Sequence, residues 1–200
     1  DEKGREDMSG KIINTPSAEN LVASVNAANK GKGLPPVHLW NPPFCGDLDI
    51  RIARDGTWFY LGTPIGRPAL VKLFSSILKR EGDNYFLVTP VEKVGIIVDD
   101  APFVAVDFNQ VNGDLHFTTQ VGDEMVAGPK NPIRIERDKK TGEPAPYVLV
   151  RDGLEALIDR KSFYRLVDIG IHKPLRGQSW FGLNSKMTFF PIIPSKDLEG

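Results

Sequence analysis

Two hundred residues, 40% hydrophobic and 26% charged, suffice to bury a core as one domain or two small ones. With 25 basic residues against 26 acidic ones the formal charge is -1, so no global field gathers DNA or an anionic membrane, and neither nucleic acid nor membrane is expected as a partner. A single cysteine, Cys45, excludes an internal disulfide framework, and no apolar run reaches the length of a bilayer span, so the expected compartment is the cytoplasm.

The opening DEKGREDMSG is polar and lacks an initiator Met, and reads as a flexible or added end. TPSAENLVASVNAANKG follows with helical spacing, Thr15 as N-cap, Pro16 in the first turn and Gly31 as the stop. The next stretch, GKGLPPVHLWNPPFCG, is too rich in Pro and Gly for regular structure and is expected to run as an extended connector. Residues 1–40 therefore form a helix-and-connector segment ahead of two domains, 41–100 and 101–200.

DLDIRIARDGTWFYLG reads as strand, turn at Asp55-Gly56, strand. A two-residue turn pairs Ile52 with Phe59 and puts Asp49, Arg51, Trp58 and Tyr60 on one face. A three-residue turn, Arg54-Asp55-Gly56 with a bulge, pairs Ile50 with Tyr60 and Ile52 with Trp58. Both registers stay open. The spacing then predicts a helix with Leu70, Leu73, Phe74, Ile77 and Leu78 on one face, Lys79 and Arg80 in its last turn and Gly82 beyond. Short strands follow, NYFLVTP, EKVGIIVDD, FVAVDFNQV, DLHFTTQ, DEMVA, IRIERD and PYVLVRD, with turns at Asn112-Gly113 and in DKKTGE. A second helix is expected over DGLEALIDRKSFYRLVDIG, with a break near Ser162, and the apolar tail WFGLNSKMTFFPIIP is expected to pack back on the body.

This order implies an α+β fold: two small antiparallel-sheet domains, each with a docked helix, without a parallel crossover sheet. The outline of the C-terminal domain is pleckstrin-homology-like, an analogy that carries no function.

For function, the informative stretch is YLGTPIGRPALVKLF. Gly62 and Gly66 are separated by three residues and followed by Arg67 and Pro68, so the P-loop pattern fails. What remains is a loop entering a helix N-terminus, where backbone N–H groups and the helix dipole favour an anion that Arg67 could clamp. The competing reading is a plain strand-to-helix turn, with Gly supplying positive φ and Pro at the first helical position. Arg51, Trp58 and Tyr60 feed this loop and could stack on a ring or base. Of the neighbours Glu92 and Lys93, which take opposite strand faces, Lys93 is the further candidate.

Other patterns are weak. SILK and KTG match two of three penicillin-binding motifs, but the middle motif is missing and their expected placements are wrong. His38, His116, His172 and Cys45 share no ligand spacing, so no metal is expected, and no cofactor motif is present. The acidic pairs Asp47/Asp49, Asp99-Asp100 and Asp123-Glu124 read as solvated turns.

IARDGTWFYLGTPIGRPALVKLFSSIL, YFLVTPVEKVGI, TTQVGDE and LVRDGLEALIDRKSFYRLV together resemble the bacterial domain-of-unknown-function family 1285 over roughly 40–167. The resemblance implies a duplicated core, a C-terminal part like pleckstrin-homology folds, and a nucleotide-like ligand at the interface between domains, in signal transduction; it brings no catalytic residues. The expected function is thus non-catalytic binding of a small anionic, nucleotide-like ligand in the inter-domain cleft, with Arg51, Trp58, Tyr60, Gly62, Gly66, Arg67 and Lys93 as candidate ligand-binding residues. The alternatives are a protein-interaction module and an unrecognised hydrolase or transferase. The latter requires a base or nucleophile with a second group within hydrogen-bond reach.

Overall fold

The computed structural model of the chain describes residues 5–6, 12–13, 16–29 and 33–198. These form two compact units. The first runs to Val98 without Ala53–Gly56; the second holds Ala53–Gly56 together with everything from Asp99.

In the first unit a short ribbon, β1 (Arg5–Glu6) with β2 (Ile12–Ile13), precedes α1 (Ala18–Ala28). The side chain of Ser17 caps α1 by accepting from the Asn20 N–H, so the cap is Ser17. Thr15 and Gly31 lie outside the described residues. The chain continues through β3 (Phe44–Ile52), β4 (Trp58–Tyr60), β5 (Thr63–Pro64), α2 (Pro68–Ser75), β6 (Leu78–Glu81), β7 (Asn84–Val88) and β8 (Lys93–Val98).

The second unit repeats the pattern with β9 (Phe103–Val111), β10 (Asp114–Thr119), β11 (Glu124–Val126), β12 (Ile133–Arg137), β13 (Pro144–Arg151) and β14 (Leu154–Ile158). It then adds α3 (Arg160–Asp168) and a three-stranded sheet of β15 (Ile171–Leu175), β16 (Gln178–Ser185) and β17 (Thr188–Pro194).

The two six-stranded sheets share one wiring, β5-β4-β3-β8-β7-β6 and β11-β10-β9-β14-β13-β12. Each is a pair of three-stranded meanders whose first and last strands meet at the centre. The fold is α+β and internally duplicated. Antiparallel pairing dominates, but the central pairs β3–β8 and β9–β14 are parallel, which corrects the expectation of no parallel crossover. The physical reason is connection length: the strands between β3 and β8 let β8 return to the side of β3 in the same direction.

Two helix boundaries also differ from the periodicity. The helix expected to run to Arg80 stops at Ser75, and Leu78–Glu81 is a strand paired with β7. The hydroxyls of Ser75 and Ser76 donate to the carbonyls of Lys72 and Leu73, competing for acceptors at the point where the helix ends. Likewise Leu154–Ile158 is β14, and the helix begins only at Arg160, capped by Asp159 accepting from the Ser162 N–H. The missed cue was Asp152-Gly153, both at positive φ, a two-residue hairpin turn joining β13 to β14.

Burial follows the pleat. In the first unit Leu48, Ile50, Ile52, Trp58, Leu87 and Val94 are buried, together with Phe74 and Ile77 from the α2 segment. Trp58 stacks on Phe74, with ring centroids 6.4 Å apart and an interplanar angle of 24°. The apolar tail forms β16 and β17, burying Phe181, Leu183, Phe190 and Ile192.

In the second unit, Tyr147 sits with its hydroxyl 2.9 Å from both carboxylate oxygens of Asp100, whose Oδ2 lies 3.4 Å from Arg54 Nη1. Arg134, held by Glu155, lies over the Tyr147 ring at 4.6 Å. Burial, reinforced by the Asp100 carboxylate, pushes the phenol up to about 12. The folded value is therefore raised above the usual ~10, so this stabilisation is complete below pH ~10 and is lost as pH rises to about 12. Wild type is expected to lose up to about 1.4 kcal/mol per pH unit more than Tyr147→Phe across that window. Urea titrations at stepped alkaline pH check it; parallel slopes for the two proteins would contradict it.

Candidate functional site

The backbone decides most of the sequence candidates. The β3–β4 pair has Ile50 opposite Tyr60, Arg51 opposite Phe59 and Ile52 opposite Trp58, the register of the longer, bulged turn. Arg51 is therefore on the opposite face from Trp58 and Tyr60, and the expected stacking trio is not assembled. Trp58 is core, 2% exposed. The Tyr60 hydroxyl accepts from the Ala18 N–H at 3.5 Å, which ties α1 to the sheet.

The glycine loop is a hairpin turn followed by a helix start. Leu61 (φ 51) and Gly62 (φ 80) make the two-residue turn between β4 and β5. Gly66 is not at positive φ, and the space around its missing side chain is open. Arg67 is the exposed N-cap residue of α2 and gives no side-chain cap, and Pro68 has no N–H. The Leu70 and Val71 N–H groups both donate to the Arg67 carbonyl. Few donors are left for an anion, so the turn accounts for these residues by itself.

Lys93 is brought together with Arg51 on a different surface, the face of the first sheet turned away from α2. The register puts Lys79 and Glu81 of β6, Phe86 of β7, Lys93, Gly95 and Ile97 of β8, Asp47 and Arg51 of β3, and Phe59 of β4 on that side. It is open: Ile97 is 60% exposed, and Phe44, at its margin, 55%. Two cations lie on rings of neighbouring strands. The Arg51 guanidinium is 4.6 Å from the Phe59 centroid and Lys93 Nζ is 4.7 Å from that of Phe86. Phe44 meets Phe86 edge-on at 6.0 Å. Lys93 also pairs with Glu81 at 3.1 Å, and this hydrogen bond, with the nearby charges of Lys93 and Lys79, holds the Glu81 carboxyl below its usual range. Glu92, by contrast, is pushed up by burial.

Between the two cation–ring pairs lies Gly95. A side chain there would collide with the Asp47 carboxylate, which lies directly over its α-carbon. The face thus offers aromatic surface, the cations Arg51, Lys79 and Lys93, and the carboxylates of Asp47 and Glu81, that of Asp47 seated over Gly95. Sequence reasoning named Arg51 and Lys93 but missed Phe59, Phe86 and Gly95; their signal was strand alternation, unreadable until the register was known.

Two further places carry polar groups. In the second unit, Asn109, Val111, His116, Thr118, Glu124 and Val126 line a depression of about 300 Å³ on β9, β10 and β11. In the C-terminal sheet, His172 Nδ1 lies 2.8 Å from Ser195 Oγ, which lies 2.8 Å from Ser179 Oγ. Among the described residues no group of three or more His, Cys, Asp or Glu side chains could hold a metal ion, and no described helix is long and apolar enough to cross a membrane. Cys45 is exposed, and its thiol donates to the Pro43 carbonyl.

No curated protein matches the chain. Among solved structures, a DUF1285 family protein from Silicibacter pomeroyi DSS-3 is 65% identical with a TM-score of 0.81, the match covering 90% of this chain and 98% of that one. A DUF1285 family protein from Shewanella baltica OS155 is 32% identical with a TM-score of 0.48, covering 60% of this chain and 90% of that one. Residues 35–101 match the N-terminal domain of the domain of unknown function DUF1285, and residues 102–192 match its C-terminal domain. Matched over both halves, and built as two sheets of identical wiring that meet this division of the chain, the protein belongs to the DUF1285 family.

Proposed function

We propose that this protein binds, without catalysing its conversion, a small anionic, nucleotide-like ligand on the open face of the first unit's sheet. The observation that carries the reading is the pairing of each cation with a ring, Arg51 on Phe59 and Lys93 on Phe86, on one open sheet face. A planar ring can lie against the aromatic surface, the Asp47 carboxylate held over Gly95 can accept from its N–H groups, and a phosphate can meet a cation at either end. Both cations are candidates for the anion, and Lys93 also meets the Glu81 carboxylate. A role in signal transduction is part of this proposal, resting on the binding of such a ligand.

Native mass spectrometry of the protein purified from its own host, followed by calorimetric titration with nucleoside monophosphates and diphosphates, tests the reading. Arg51→Ala is expected to weaken binding tenfold to over a hundredfold, the equivalent of losing a charge-assisted hydrogen bond of about 1.5–3 kcal/mol. Gly95→Val is expected to weaken it by displacing the Asp47 carboxylate from its place over Gly95. Affinities unchanged in both variants would remove the ligand from this face.

A further inference from the structure

We propose a second, chemically separate activity in the C-terminal sheet: Ser195, with His172 and Ser179, forms a nucleophile–base relay that takes the acyl group of small activated esters and hydrolyses it. This goes beyond the binding reading above and involves none of its residues.

The three side chains converge from three segments because of the sheet's register. Pro174 stands opposite Ser179 and Trp180 opposite Pro194, so His172 of β15, Ser179 of β16 and Ser195 just past β17 come side by side. They form one hydrogen-bonded row, imidazole to hydroxyl to hydroxyl, each link 2.8 Å. That is the distance a base needs to take a proton from a nucleophile. The ring of His172 rests against Phe181 at 5.2 Å and is tilted by 55°, which gives it a fixed wall on one side. His172 and Ser179 are exposed and Ser195 half-buried, so a substrate reaches the row without a conformational change. No deep cleft surrounds it. The substrate class is accordingly a small acyl group on a good leaving group.

With its proton on Nε2, His172 accepts the Ser195 hydroxyl proton at Nδ1 while Oγ adds to the ester carbonyl carbon. Ser179, whose hydroxyl donates to Oγ at rest, is placed to turn toward the developing oxyanion. The C–O bond to the leaving group breaks, and the proton on Nδ1 goes to that oxygen, leaving acyl-Ser195. Water then gives a proton to Nδ1 as its oxygen adds to the acyl carbon. The acyl–Oγ bond breaks, the proton returns to Oγ, and one ester and one water have become one acid and one alcohol.

The test is 4-nitrophenyl acetate on the full chain carrying Cys45→Ala, because the exposed Cys45 thiol would otherwise take acetyl groups. The expected result is a burst of nitrophenol with an acetyl group mapped by peptide mass spectrometry to Ser195. Ser195→Ala is expected to remove the adduct, and His172→Ala or His172→Gln to slow its formation about a hundredfold. Thermal melts accompany each variant, since these exposed positions leave the core untouched. An acetyl group at Ser195 that forms no faster than on other exposed hydroxyls, or equally fast without the imidazole in a folded variant, overturns the proposal.

Discussion

Replacing Trp58 by alanine is expected to cost about 3–5 kcal/mol of folding stability, enough to remove a large part of what holds a domain of this size. The indole is 2% exposed, stacks on the fully buried Phe74 and pairs across the strands with Ile52, so its removal leaves a cavity in the core of the first unit. One term works the other way. Trp58 Nε1 is buried without a hydrogen-bond partner among the described residues, and deleting it relieves that cost. Trp58→Phe keeps most of the packing and drops the unpaired N–H, so it should be much milder than alanine. Chemical denaturation of both variants separates the cases. An alanine variant as stable as the parent, but poor in ligand binding, would return Trp58 to the list of site residues.

A second large effect is expected at Gly182, where the β16–β17 ladder shifts register. A methyl group on its α-carbon would collide with the backbone carbonyl of Phe190 and approach the α-carbon of Pro191 as well as the Phe189 ring. Backbone atoms of a paired strand cannot rotate aside as a side chain can. Gly182→Ala should therefore pry β17 from β16 and destabilise the second unit by about 1–3 kcal/mol, overpacking without compensation. Hydrogen exchange read strand by strand would show early loss of protection in β16 and β17. Unchanged protection there would mean that the bulge absorbs the methyl group.

These two residues illustrate how legibility was divided. Gly182 carries no local signal at all, since a glycine in an apolar tail looks like any other. Trp58 carried an ambiguous one, because the residues around Asp55-Gly56 accept two turn lengths and a one-residue slip exchanges the faces of the strand. Only the neighbours of β3 on its other side, β8 with Gly95 and Ile97, settle the matter, and they lie more than forty positions away in the chain.

Local chemistry was sufficient where a turn or cap is written in adjacent residues. Asn112-Gly113, the Asp138–Gly142 turn, the strands between them, the α+β class and the family resemblance all follow from short-range patterns. Tertiary structure decided the rest, for two reasons. A five-residue amphipathic run such as Leu154–Ile158 has too few positions to separate a period of 2 from one of 3.6, so pairing with β13 and β9 chose the strand. And a site made of side chains from several strands exists only once register puts them on one face. Thus Arg51 and Lys93, forty-two positions apart, each came to rest on a ring that no local pattern had attached to it.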